Sequence, residues 1–195
     1  TKTVLIMSHK HLLITVAFAW AAVFAVPAHA QKFFTRDGVV SFDATAPNSP
    51  ETIKAVNKSG ACVWDKSSGA VEMAVLVKGF LFEKALMQEH FNENYLESTK
   101  YPKATFTGKL DNPSSVDTGK DGTYKVNASG TLTMHGVSKA ATAPVIFTVK
   151  SGKVSAAVTF SITLAEYNVA IPSLVADKVN KKADVGIMAN LELMK

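Results

Sequence analysis

The chain has 195 residues, 47% hydrophobic and 19% charged, with 21 basic against 16 acidic side chains for a net charge of +5. That is enough apolar material for one well-buried domain, but the charge excess is mild, Arg36 is the sole arginine and the lysines are scattered, which excludes a phosphate-tracking nucleic-acid surface. Cys62 is the single cysteine, so no intramolecular disulfide can form; "SGACVW" around it holds no activating histidine, and it reads as a small buried apolar residue.

In chain order, the first expected element is an export signal. Lys10 and two histidines precede an uncharged apolar run, Leu12 to Val26, that ends in the small-x-small pattern Ala28-His29-Ala30. This predicts a signal peptide over residues 1–30, for which Met7 is the more usual start, with cleavage before Gln31. At about 15 residues the run is short for a bilayer span, and no cysteine follows it for lipid attachment, so the mature chain, 31–195, is expected to be a single domain without an integral membrane segment.

Period-two alternation then predicts strands. Val71, Met73, Val75 and Val77 share one face. The stretch "FEKALMQEHFNENYLES", 82–98, breaks the rhythm: Leu86, Met87, His90, Phe91, Asn94 and Tyr95 fall on one helical side, against Lys84, Glu89 and Glu93, and predict one amphipathic helix with His90 partly buried. Alternation resumes in Ala104, Phe106, Gly108 and Leu110, in Tyr124 through Met134, and in Val145, Phe147 and Val149. It is strictest over 154–164, where Val154, Ala156, Val158, Phe160, Ile162 and Leu164 oppose Ser155, Thr159, Ser161 and Thr163. The segment 165–184, with Pro172 and mixed patterning, reads as a long loop with at most one helical turn, and Ile187, Ala189, Leu191 and Leu193 form a last strand. Turn chemistry at 66–69, 119–122, 135–139 and 150–152 gives short connections and hence antiparallel neighbours.

About eight evenly spaced strands and one helix predict an all-β fold with one helix, as an antiparallel eight-stranded β-barrel or a sandwich. Small inward residues, Ala104, Gly108, Ala128, Gly130, Ala156 and Ala189, either leave room for a ligand or fit opposite large neighbours; the pattern leaves both open. No hydrolase elbow, phosphate loop or zinc spacing is present, and the carboxylates are dispersed. His90 and His135 lie on different elements with no spaced ligand partner, so no catalytic residue, metal or cofactor is assigned and the chain is not read as an enzyme.

Three stretches carry a family resemblance. "GTLTMHGVSK", 130–139, resembles the signature hairpin of the YceI-like family of exported lipid- or polyisoprenoid-binding proteins, "YLESTKYPKATFTGKL", 95–110, resembles its helix end and following strand, and "EKALMQEHFNENY" resembles its helix. The resemblance covers 39–194 and departs at Ala140-Ala141-Thr142 and in the closing "GIMANLELMK", which bears on the ligand's identity and not on the fold. It implies a lipocalin-like barrel, periplasmic or secreted, whose apolar channel takes the tail of an isoprenoid lipid or quinone-type ligand, with a homodimer as an option. The channel residues expected are Leu86, Phe91, Phe106, Leu132, Phe147, Ala156, Val158, Phe160 and Ile162. His135 is expected in a hairpin turn beside Gly136, with headgroup contact at the channel mouth as its functional reading. The alternative is an envelope stress or interaction protein with a filled barrel and no lipid.

Overall fold

Alternation becomes strand pairing around a closed circle. The computed structural model describes residues 31–194, so the expected signal peptide lies outside the described residues. The strands are β1 (Lys32–Thr45), β2 (Lys54–Asp65), β3 (Ala70–Leu76), β4 (Leu81–Phe82), β5 (Lys103–Leu110), β6 (Gly122–Met134), β7 (Val137–Lys150), β8 (Lys153–Thr163) and β9 (Val179–Leu193), with one helix, α1 (Ala85–His90). Their order is β1-β9-β8-β7-β6-β5-β3-β2, and a β1–β2 pairing closes the circle into an eight-stranded antiparallel barrel. Closure leaves neither terminal strand as a free edge. The two-residue β4 only extends the start of β2, pairing Ala55 with Phe82 and Val56 with Leu81.

Two-residue turns fix the registers of the long hairpins. His135 and Gly136, with φ of 51° and 74°, join Met134 to Val137, and Ser151 and Gly152, at 51° and 75°, join Lys150 to Lys153. Gly136 has a second reason to be glycine: a Cβ there would stand 2.6 Å from the Tyr101 ring.

β1 and β2 escape period-two reading because both are irregular. Their register shifts between Thr35 and Gly38 and again between Gly38 and Val40, so the inward residues Thr35 and Gly38, and Asn57 and Gly60, are three apart instead of two. Gly38 and Gly60 sit opposite one another, each so close that a Cβ on one would meet the other's carbonyl oxygen at 2.9 Å.

Two other expectations are corrected. The helix is shorter than 82–98: α1 widens after His90 into a π-helical turn, Phe91–Tyr95. That wider winding breaks the i, i+4 face, so Phe91 and Leu96 are buried while Leu86 and His90 are exposed. The loop expected over 165–184 is shorter too, because β9 begins at Val179; in its polar start "VNKKAD" the inward position is held by fully buried Ala183, too small to signal a strand.

Apolar packing divides into two clusters. At the end of the barrel carrying the β7–β8 turn, Trp64 lies between Phe33 and Phe147, ring centroids 5.2 and 4.7 Å away, and Leu110, Val116, Val126, Val149, Val154 and Leu191 complete a dry plug. At the other end Phe91 meets Phe42, Phe80 and Phe82 at 4.9 to 5.6 Å, and buried Leu96, Leu164, Tyr167 and Val169 join them beneath α1. Among the described residues, no helix is long and apolar enough to cross a membrane.

Candidate functional site

Between the two clusters the inward side chains do not fill the barrel. A cavity of about 200 Å³ remains, lined from β1, β2, β3 and β5 through β9 and closed at the helical end by Val77, Phe80, Phe91, Leu96 and Leu164. No charged side chain lines it; the lining residues that carry polar side-chain atoms are Ser41, Cys62, Trp64, Thr105 and Thr142, and the Ser41 and Thr142 hydroxyls are bonded on the exposed face, to the Gly186 carbonyl oxygen and the Ser129 hydroxyl. Burial pushes the Cys62 thiol up to about 11, so it stays protonated at neutral pH. A surface of this kind offers hydrocarbon contact and little else.

The small inward residues divide by role. Gly108 and Gly130 face one another across β5 and β6, and a Cβ on either would come within 3.0 Å of the tip of the Phe106 ring. They leave no room; they admit an aromatic ring. Ala104, Ala128, Ala141, Ala143, Ala156 and Ala189 line the cavity, and there small size does leave space.

Of the residues singled out from sequence, Phe91, Phe106, Leu132, Phe147, Ala156, Val158, Phe160 and Ile162 converge on this cavity. Leu86 does not. It is 61% exposed and lines a second hollow of about 270 Å³ between α1 and the loop before β9. That hollow is of mixed character, with Glu51, Lys84, His90 and Lys178 beside Ile53, Met87, Val169 and Val175, and it shares Phe91 and Leu164 with the barrel cavity as a partition. Glu51 binds Lys84 at 2.7 Å and Lys178 at 3.7 Å, which holds its carboxyl below the usual range.

His135 is engaged within the chain and is absent from the cavity lining. Its Nδ1 lies 2.9 Å from the Tyr167 carbonyl oxygen and its Nε2 2.8 Å from the Glu97 carboxylate, with Tyr101 edge-on to the ring at 4.8 Å. Both nitrogens face acceptors, so the ring ties the β6–β7 turn to the segment after β8 and to the segment after α1. No group of three or more His, Cys, Asp or Glu side chains able to hold a metal occurs among the described residues.

Sequence reasoning missed Val40, Phe42 and Phe80 as lining residues. The first two lie on bulged β1 and the third follows β3 in a short turn, so none belongs to an alternating run.

A family model described as the YceI-like domain matches residues 13–190. Among solved structures, the chain is similar to a polyisoprenoid binding domain from Saccharophagus degradans implicated in plant cell wall breakdown, at 13% identity and a TM-score of 0.73, covering 85% of this chain and 99% of that one. It is also similar to BcnA of Burkholderia cenocepacia, at 18% identity and a TM-score of 0.63 over 80% and 96% of the two chains, and to the YCEI protein of Campylobacter jejuni, at 19% and 0.54 over 74% and 86%. At these identities the likeness shows a shared fold. No curated protein matches the chain.

Proposed function

The chain belongs to the YceI-like domain family, and on that premise we propose that it is an exported, non-catalytic carrier that holds the apolar tail of an amphipathic lipid, isoprenoid or quinone-like, inside its barrel. The observation that carries this reading is the charge-free lining of the cavity. A catalytic site needs convergent polar groups, whereas a tail needs only their absence. The similarity to a polyisoprenoid binding domain supports the same class of ligand, and the open cavity counts against a filled barrel.

Size sets the form of binding. A cavity of about 150 Å³ takes one benzene-sized group and drug-sized pockets begin near 300 Å³, so a void of about 200 Å³ takes a short length of chain as it stands. A longer tail must displace half-buried Leu132, Met134 and Phe160 toward solvent, which the flexible thioether permits most readily. Each buried methylene contributes about 0.8 kcal/mol, so ten carbons supply roughly 8 kcal/mol before chain ordering is subtracted. In this proposal the tail lies against Phe91, Phe106, Leu132, Phe147, Ala156, Val158, Phe160 and Ile162, and residues 1–30 are the export signal that delivers the 31–195 domain to the periplasm or beyond.

Native mass spectrometry of detergent-free protein tests the reading. The expected result is a co-purifying isoprenoid or quinone mass, or uptake of a fluorescent farnesyl probe by the emptied protein. Protein that is empty and takes up no probe overturns it.

A further inference from the structure

Both ends of the barrel are shut, one by the Trp64 plug and the other by α1 with Phe80, Phe91 and Leu96, yet the cavity must be reached. Its wall is irregular between Phe34 and Val39 of β1 and beyond Ala61↔Ala74 of β2 and β3, and a further long interruption lies between β7 and β8. β7 pairs with β6 along its whole length, from Met134↔Val137 to Gly122↔Val149. β8 pairs with β9 from Val154↔Leu191 to Thr163↔Lys182. Between β7 and β8, however, the ladder runs only from Lys150↔Lys153 to Val145↔Val158. Residues 137–144 of β7 and 159–163 of β8 therefore face each other unpaired, a gap about 16 Å long at ~3.3 Å per strand residue.

The stopping point is written in the sequence. Beside the last rung stands Pro144, which has no N–H with which to make another, while its pairing with Asn127 of β6 is kept. The opposite end of the gap is held by His135, whose bond to the Tyr167 carbonyl joins the β6–β7 turn to the turn that follows β8 and whose other nitrogen is anchored on Glu97. The result is a bounded window and not a frayed seam. The cavity reaches it from inside: Ala141, Thr142 and Ala143 on one jamb and Val158, Phe160 and Ile162 on the other all line the cavity, and Ala141, Ala143 and Phe160 are half-buried.

We propose that this window is the ligand's doorway, so that a hydrocarbon chain enters sideways between β7 and β8 instead of threading through an end of the barrel. The inference rests on the lipid-binding reading above and adds the route. Alanines at the inner jamb keep the opening clear, and the outward Ser138, Thr142, Thr159 and Ser161, with exposed Lys139 on the inward-facing side beside Leu132, give it a polar rim past which an amphipathic molecule can leave its head in water.

Continuing the ladder would set Thr142 opposite Ser161, both exposed, so the double variant Thr142→Cys/Ser161→Cys can be stapled across the window. Cys62, with its thiol pushed up to about 11 inside the wall, stays out of that oxidation. Stopped-flow uptake of a dansyl-farnesyl probe is expected to slow at least tenfold on oxidation and to recover with reductant, and protein loaded before oxidation should release the probe slower by a similar factor. Equal rates in the oxidised and reduced forms would overturn the doorway while leaving binding intact; absence of probe binding in the reduced form would overturn the lipid-binding reading itself, and the doorway with it. Pro144→Thr provides a second arm that needs no staple. By restoring the missing N–H it is expected to slow uptake several-fold at unchanged equilibrium affinity, and a wild-type rate there would also count against the doorway.

Discussion

The zipped and open halves of the β7–β8 pair differ in what stands at the inward positions of β7: Val145, Phe147 and Val149 in the zipped half, Val137, Lys139, Ala141 and Ala143 in the open one. In the zipped half, Val145, Phe147, Val149 and Val154 are buried and Ala156 and Val158, which line the cavity, are half-buried; in the open half, Ala141, Ala143 and Phe160 are half-buried and Ile162 is buried. Alternation therefore dictates which way side chains face and does not dictate whether neighbouring strands pair. Pairing needs in addition an N–H at every rung, which Pro144 lacks; small inward residues do not prevent it, since Ala156 pairs with Ala189 and Ala143 with Ala128.

The sharpest way to break this comparison is to truncate the same residue type in each half. Phe147→Ala removes a ring that is 2% exposed and packed on Trp64, and should cost about 3 to 5 kcal/mol by denaturant titration. Phe160→Ala removes a half-buried ring and should cost only about 1 to 2 kcal/mol, since much of its surface already meets open space. Equal losses would mean that the open half is packed as tightly as the zipped one. Added bulk gives the next contrast: Val149→Trp should overpack the plug at about 1 to 3 kcal/mol or more, whereas Ala156→Trp should fill the cavity for under ~1 kcal/mol while lowering probe uptake at least tenfold. His135→Ala, which frees the Tyr167 carbonyl and Glu97 at the top of the window, should cost about 1 to 2 kcal/mol and quicken probe release.

The smallest effect concerns Cys62, on the wall away from the window. Its ordinary thiol value of 9.0 is raised to about 11 by burial, so the unfolded chain loses the proton first as pH rises. Its contribution to stability is therefore intact below about pH 9 and is lost between about 9 and 11. The stability curve of Cys62→Ala should lack that component over the same range, isolating it from the lysines that titrate nearby.

Much of the barrel was legible because a two-residue period survives wherever strands are regular, as in β5, β6, β8 and the second half of β7, and because His135-Gly136 and Ser151-Gly152 mark tight turns. β1 and β2 were hidden by their bulges at Gly38 and Gly60, which move the inward set by one residue, and the start of β9 by the small size of Ala183. Most of the cavity residues could be named because inward facing is a local property. Leu86 was misplaced because a π turn is not visible in helical periodicity. Whether small inward residues leave a void could not be read at all, since the answer depends on the partner across the barrel: at Gly108 and Gly130 it is the Phe106 ring, and at Ala141 and Ala143 it is nothing.

The open edge of β7 also has a consequence for the protein in a crowd. Unpaired strand backbone is a template for strand addition by another chain, and long flat apolar edges are where aggregation begins. This edge carries Lys139 and ends at Pro144, a charge and a missing donor that both discourage a foreign strand from docking. The opening is thereby selective in what it admits, since a hydrocarbon chain needs no hydrogen bonds from the jambs whereas an invading strand needs one at nearly every rung. Replacing Lys139 and Pro144 together by β-branched residues would remove both guards and turn the window into a seam for self-assembly.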